Sequence, residues 1–145
     1  MITIAGGAVL LVLGMVAWGG QTLSWLAPDT AARWSLTEIE DDVEPVFHAD
    51  IRGEALWDAL TLWTIVVAGA LLIMDVSSWA YFGLVGGGTY VYFAGRGIVV
   101  RRAMQRRGMR IGDPAGVPTA FAALALWGIM GLVTVAAAWT SLAGS

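Results

Sequence analysis

The chain has 145 residues, of which 58% are apolar and 13% charged, against about 25% charged in an ordinary soluble domain. A mean hydropathy of +0.74 and four apolar stretches covering about two-thirds of the sequence argue against a water-soluble fold. Cysteine is absent, which excludes disulfides, thiolate metal sites, iron–sulfur clusters and cysteine nucleophiles, and the net charge of −3 averages over segregated acidic and basic segments and gives no sign of nucleic acid as a partner.

The expected fold is all-α: a polytopic membrane protein with four transmembrane helices in an antiparallel bundle, forming one integral membrane domain over 1–145. The first span, about 2–26, contains no ionisable side chain, and Pro28 with Asp29 stops it. It opens without Lys or Arg, unlike the positive start of a secretory signal peptide. The connection that follows mixes Glu38, Glu40, Asp41, Asp42, Glu44, Asp50 and Glu54 with Trp34, Leu36, Ile39, Val43 and Phe47 at spacings near three and four. This pattern predicts a short interfacial amphipathic helix, interrupted by Pro45, with Asp50 capping the run into the second span. The acidic run Glu40-Asp41-Asp42 with Glu44 reads as a solvated face or as a docking surface for a basic partner or a cation. It does not match a calcium loop, and no metal is assigned. His48, the only histidine, reads as a surface residue.

The second and third spans, about 55–74 and 79–100, are joined by Asp75-Val76-Ser77-Ser78 and predict a tight antiparallel hairpin, with Asp75 capping the third helix. Beyond the third span, Arg101, Arg102, Arg106, Arg107 and Arg110 form a basic extension ended by Gly108 and Gly112. These arginines suit anionic lipid headgroups, topology enforcement, or pairing with the acidic connection. The fourth span is about 117–142, with Pro118 tolerated in its first turn.

All eight basic residues are Arg and fall on the side of the two long connections, so the positive-inside rule places both termini outside the cell. Arg without Lys, together with abundant Ala and Gly, suggests a GC-rich bacterial gene and hence a bacterial inner membrane.

Counted from the hairpin turn, Asp58 and Arg96 lie at equal depth, about 28 Å away at 1.5 Å per residue. They are expected to form an intramembrane ion pair, with Glu54 and Arg101 repeating the match one turn out. This ladder reads as a registry lock, and more sharply as a substrate or proton site. Trp18, Trp63, Tyr90, Tyr92 and Trp127 fall in one slab, which reads as core packing or as a pocket for a flat hydrophobic ligand such as a quinone. Gly83 and Gly87 form a GxxxG packing face that could also serve self-association.

Gly19-Gly20, the Trp25-Leu26-Ala27-Pro28 elbow, the tight hairpin and Gly95-Arg96 closing the third span together resemble the DoxX-like four-helix membrane proteins of bacteria. That resemblance implies a four-helix bundle and a link to quinone-coupled redox chemistry, while the long acidic connection departs from it. Three functions fit the residues: a non-catalytic accessory or scaffold protein that joins itself or a larger membrane complex, a quinone-binding redox component, and a small transporter. The scaffold reading leads, because no residue set forms a catalytic constellation and no cofactor is called for.

Overall fold

The computed structural model describes residues 2–144; 82% of the chain is helical and the described residues contain no strand. The helices are α1 (Ile2–Leu26), α2 (Pro28–Arg33), α3 (Pro45–Thr61), α4 (Trp63–Ile73), α5 (Trp79–Arg106) and α6 (Val117–Ala143), with one 3₁₀ turn at Glu40–Asp42. Three segments are long and apolar enough to cross a membrane: Ile4–Leu26, Pro45–Ile73 taken through the break at Leu62, and Val117–Ala143. Helix α5 has 28 residues, but its glycines, tyrosines and arginines make it less apolar than the other three.

The first connection departs from expectation. Pro45 does not interrupt a helix but opens α3 in its first turn, where its missing N–H has no partner to lose, so this helix starts ten residues before the expected 55. The apolar and acidic stretch before it is loop and 3₁₀ turn, and the short helix of the connection is α2, ahead of that stretch. Asp75 does not cap α5. It lies in the left-handed region at φ 56° and closes α4, with Val76 N–H bonding to Leu71 O and Asp75 N–H to Leu72 O. Ser35 (φ 55°) and Gly108 (φ 71°) close α2 and α5 with the same pair of bonds.

Small residues set the packing. Gly7 lies on Gly69 and Ile73, Gly14 on Ile65 and Val66, and the Trp18 ring N–H donates to Ala59 O at 2.8 Å, so numbers rise along α1 as they fall along α3 and α4. On α5, Gly83 meets Ala138 and Gly87 meets Gly131 and Val135, so the GxxxG face is covered by α6. Gly86, on another side of α5, touches the Ile65 backbone of α4. Tyr90, fully buried, reaches from α5 to donate its hydroxyl to Gly14 O at 3.2 Å. Around it lie Leu10, Leu62, Ile65, Phe93, Leu124 and Met130.

The break at Leu62 is stitched by side chains. Ala59 O accepts from Trp18, Leu60 O from the Trp63 ring N–H at 2.9 Å and Thr61 O from the Thr64 hydroxyl at 2.9 Å. In a segment apolar enough to cross a membrane, carbonyls at a helix break need donors from the protein, because no water reaches them.

The three consecutive glycines of α5 separate these contacts. A methyl at Gly86 would sit 2.6 Å from Ile65 N and one at Gly87 would sit 2.8 Å from Gly131 O, whereas Gly88 faces open space. Gly86→Ala and Gly87→Ala are expected to lower the melting temperature in detergent, and Gly88→Ala to leave it unchanged or raise it, the helix gaining about 0.5–1 kcal/mol. Thermal unfolding of the three variants checks this.

Candidate functional site

Helix α3 carries Asp50, Glu54 and Asp58 at four-residue intervals, which places them on one face at one-turn spacing. Arg96 of α5 spans the first two: one guanidinium nitrogen lies 2.5 Å from Asp50 Oδ1 and another 2.8 Å from Glu54 Oε1. Asp58, one turn deeper, is 2% exposed, and its Oδ2 has no hydrogen-bond partner.

Both expected pairs are therefore corrected. Arg96 does not pair with Asp58, because its long side chain extends toward the helix end, as cationic side chains do, and meets the carboxylates further out. Asp50, expected as a helix cap, takes part in this bridge instead. Glu54 is taken by Arg96 and not by Arg101. The Arg101 guanidinium stacks 5.3 Å from the Phe47 ring centre, donates to Gly97 O at 3.5 Å, and keeps its buried Nε without a partner.

Two cavities flank the ladder. One, of about 540 Å³, is lined by Glu38, Asp42, Glu54, Asp113 and Arg101 around a floor that includes Phe93, Leu124 and Trp127. Burial pushes the Glu38 carboxyl above its ordinary value; the Arg101 charge opposes this, and Asp42 and Asp113 add to it. Gly112, at φ 131°, lies so close to the Glu38 carboxylate that a side chain there would overlap it. The other cavity, of about 350 Å³, is lined by Asp50, Gly53, Glu54, Trp57, Asp58, Tyr92 and Arg96.

The two long connections fold together over this end. Val43 bridges Ile111, Glu44 N–H donates to Arg110 O at 2.9 Å, and the Arg110 guanidinium reaches Asp41 O at 2.9 Å and the Glu44 carboxylate at 3.5 Å. Val43, Phe47, Ile51 and Ile111 are buried beneath as a second apolar cluster. Half-buried His48 lies 3.3 Å from the Glu40 carboxylate. Arg52, not singled out by the sequence, donates to the Ser24 and Trp25 carbonyls and stacks on the Trp25 ring, supplying cationic donors to the carbonyl end of α1. Of the five arginines expected at lipid headgroups, Arg101 and Arg110 bond within the protein, Arg102 stacks 5.6 Å from the Phe121 ring centre, and Arg106 and Arg107 are exposed.

The aromatic slab does not close on a shared pocket. Tyr90 is in the core, Trp18 packs against it, Trp63 is exposed beside Phe82, and Trp127 and Tyr92 line different cavities. Trp18, Tyr90 and Trp127 share the apolar core, whereas Trp63 and Tyr92 are exposed, so equal depth along the helices does not bring the five onto one face. In comparison with protein-family models, curated proteins and solved structures, the chain matches none of them.

Two predictions test this geometry. Arg96→Met leaves two carboxylates without their cation and is expected to cost on the order of 3 kcal/mol. Adding Asp50→Asn with Glu54→Gln should restore more folded protein than adding Asp58→Asn, read by size-exclusion yield. Glu38, with its carboxyl pushed up, favours folding most below its unfolded value near 4.5 and opposes it as pH rises through the folded value. Glu38→Gln should therefore raise the melting temperature at pH 7.5, and this gain should vanish below about pH 4.5.

Proposed function

We propose that this chain is an integral membrane protein whose helices α1, α3–α4, α5 and α6 cross the bilayer four times as an antiparallel bundle, with a non-catalytic role as an accessory or scaffold in a membrane complex. The observation that carries the role is the folded cap: two connections pack on their own apolar cluster and hold acidic Glu40 and Asp41 and basic Arg106 and Arg107 on a shaped, exposed surface. Such a surface recognises a partner by charge pattern. Helix α5 lies between α4 and α6, and its Gly83, Gly86, Gly87, Gly97 and Tyr90 meet protein, which supports its counting as a span. The arginines cluster at the cap end and support a cytoplasmic cap, outward termini and a bacterial inner membrane.

A second reading, a hydrophobic-ligand or quinone component of the DoxX-like kind, draws support from the cavity of about 540 Å³ with Trp127, Phe93 and Leu124 beneath a charged rim. Gentle extraction followed by native mass spectrometry separates the two. A homo-oligomer or a protein partner at fixed stoichiometry is expected for the scaffold, and a retained small molecule, lost in Trp127→Leu, would favour the second reading.

The absence of cysteine makes the topology directly testable. In intact cells a membrane-impermeant maleimide should label Ser77→Cys and Ser141→Cys but not Arg107→Cys. The reverse pattern would overturn the orientation, and labelling of all three would overturn the four-span reading.

A further inference from the structure

Asp50, Glu54 and Asp58 define two gaps, each about 6 Å along the helix axis. The Arg96 guanidinium fills the first, bonding to the carboxylates at both ends. Among the described residues no cation fills the second, although Asp58 is 2% exposed and its Oδ2 has no partner. The neighbouring donors are already engaged: Trp18 with Ala59 O, Tyr90 with Gly14 O, and Thr61 with Trp57 O. A buried carboxylate oxygen without a donor costs free energy, and three carboxylates against Arg96 and, beside Glu54, Arg101 still leave the ladder short of positive charge.

We propose that the gap between Glu54 and Asp58 binds the primary ammonium head of an amphiphilic amine, in the position that Arg96 occupies one turn further out. Three features select this chemistry. An ammonium group brings three N–H donors to acceptors that lack them. The cavity beside the gap, about 350 Å³, is far larger than a bare ion, and among the described residues no three His, Cys, Asp or Glu side chains are placed to hold a metal. Trp57 and Tyr92, 57% and 58% exposed, line it with aromatic faces that attract an organic cation. Leu60, exposed one turn beyond Trp57 on the same helix, carries an apolar surface on from the cavity for the tail within a segment read as embedded.

The inference rests on reading α3–α4 as embedded, which a further cysteine at exposed Asp41 tests independently: Asp41→Cys should resist the impermeant maleimide in intact cells while Ser77→Cys, beyond α4, is labelled. Protein in phosphatidylcholine nanodiscs is titrated with n-butylammonium by calorimetry against empty discs. Saturable binding is expected, weakened at least tenfold in Asp58→Asn, several-fold in Trp57→Leu, and unchanged in Glu38→Gln, which alters only the other cavity. Repeating the titration with phosphatidylethanolamine in the disc identifies the source of the amine: competition assigns the site to the lipid headgroup, and no competition to a free amine. Absence of saturable binding, or equal affinity in Asp58→Asn, overturns the proposal. Should Asp58→Asn fail to fold, unchanged affinity in Trp57→Leu overturns it.

Discussion

In a segment apolar enough to cross a membrane a polar group finds its partner inside the protein or goes without, and the break at Leu62 is where this constraint bears hardest. At this interruption between α3 and α4, carbonyls accept from side-chain donors, and the donors come from three places: Trp18 on α1, Trp63 beyond the break and Thr64 within the next turn. The Trp18 bond ties α1 to α3 across 41 residues of sequence, and the Tyr90 bond ties α5 to α1 across 76. Each such bond restricts sliding of helices whose apolar contacts alone leave register weakly specified, because lipid tails compete with side chains for the same surfaces. The interrupted helix, the central tyrosine and the glycine contacts around Ile65 thus answer one requirement together.

Charge follows the same logic at the cap end. Arginine satisfies buried acceptors well because its planar fork reaches two at once. Arg96 bridges two carboxylates, Arg52 serves two carbonyls at the end of α1, and Arg110 joins the second connection to the first. A protein using arginine this way has fewer left for lipid. Arg102, Arg106, Arg107 and Arg110 of the basic segment are exposed, and the acidic connection is held against its far end through Arg110.

Helical class, helix ends near 26, 79 and 117 and the tight hairpin were legible because apolar run length and proline position report them directly. The Asp58–Arg96 pair was misread because counting residues from a turn assumes straight helices and short side chains. An i, i+4, i+8 acidic series was present in Asp50, Glu54 and Asp58, and reading it as a ladder along one helix would have found the bridge to Arg96. Nothing in the sequence signals the break at Leu62, since no Pro or Gly stands there and tertiary contacts with Gly86 accompany it. The cap was hidden for a different reason: Val43 and Ile111 meet across 68 residues, and no local pattern predicts so distant a bridge.

The internal use of the glycine faces bears on how the protein would associate with others. A GxxxG stripe supports helix dimerisation only when it faces lipid, and here Gly83 and Gly87 are already closed by Ala138, Gly131 and Val135 of α6. The outward faces of α1 and α6 carry Val9, Val12, Val16, Leu126, Ile129, Leu132 and Val133, side chains that match lipid tails, with small Gly19, Ala125 and Ala136 exposed among them. Recognition through the apolar helix surface would therefore rest on scattered small residues such as Gly88, Gly95, Ala125 and Ala136, and not on the covered GxxxG stripe. The cap adds charges of both signs fixed on a packed base, so on the proposed scaffold reading an association of this chain would draw its charge specificity from the cap.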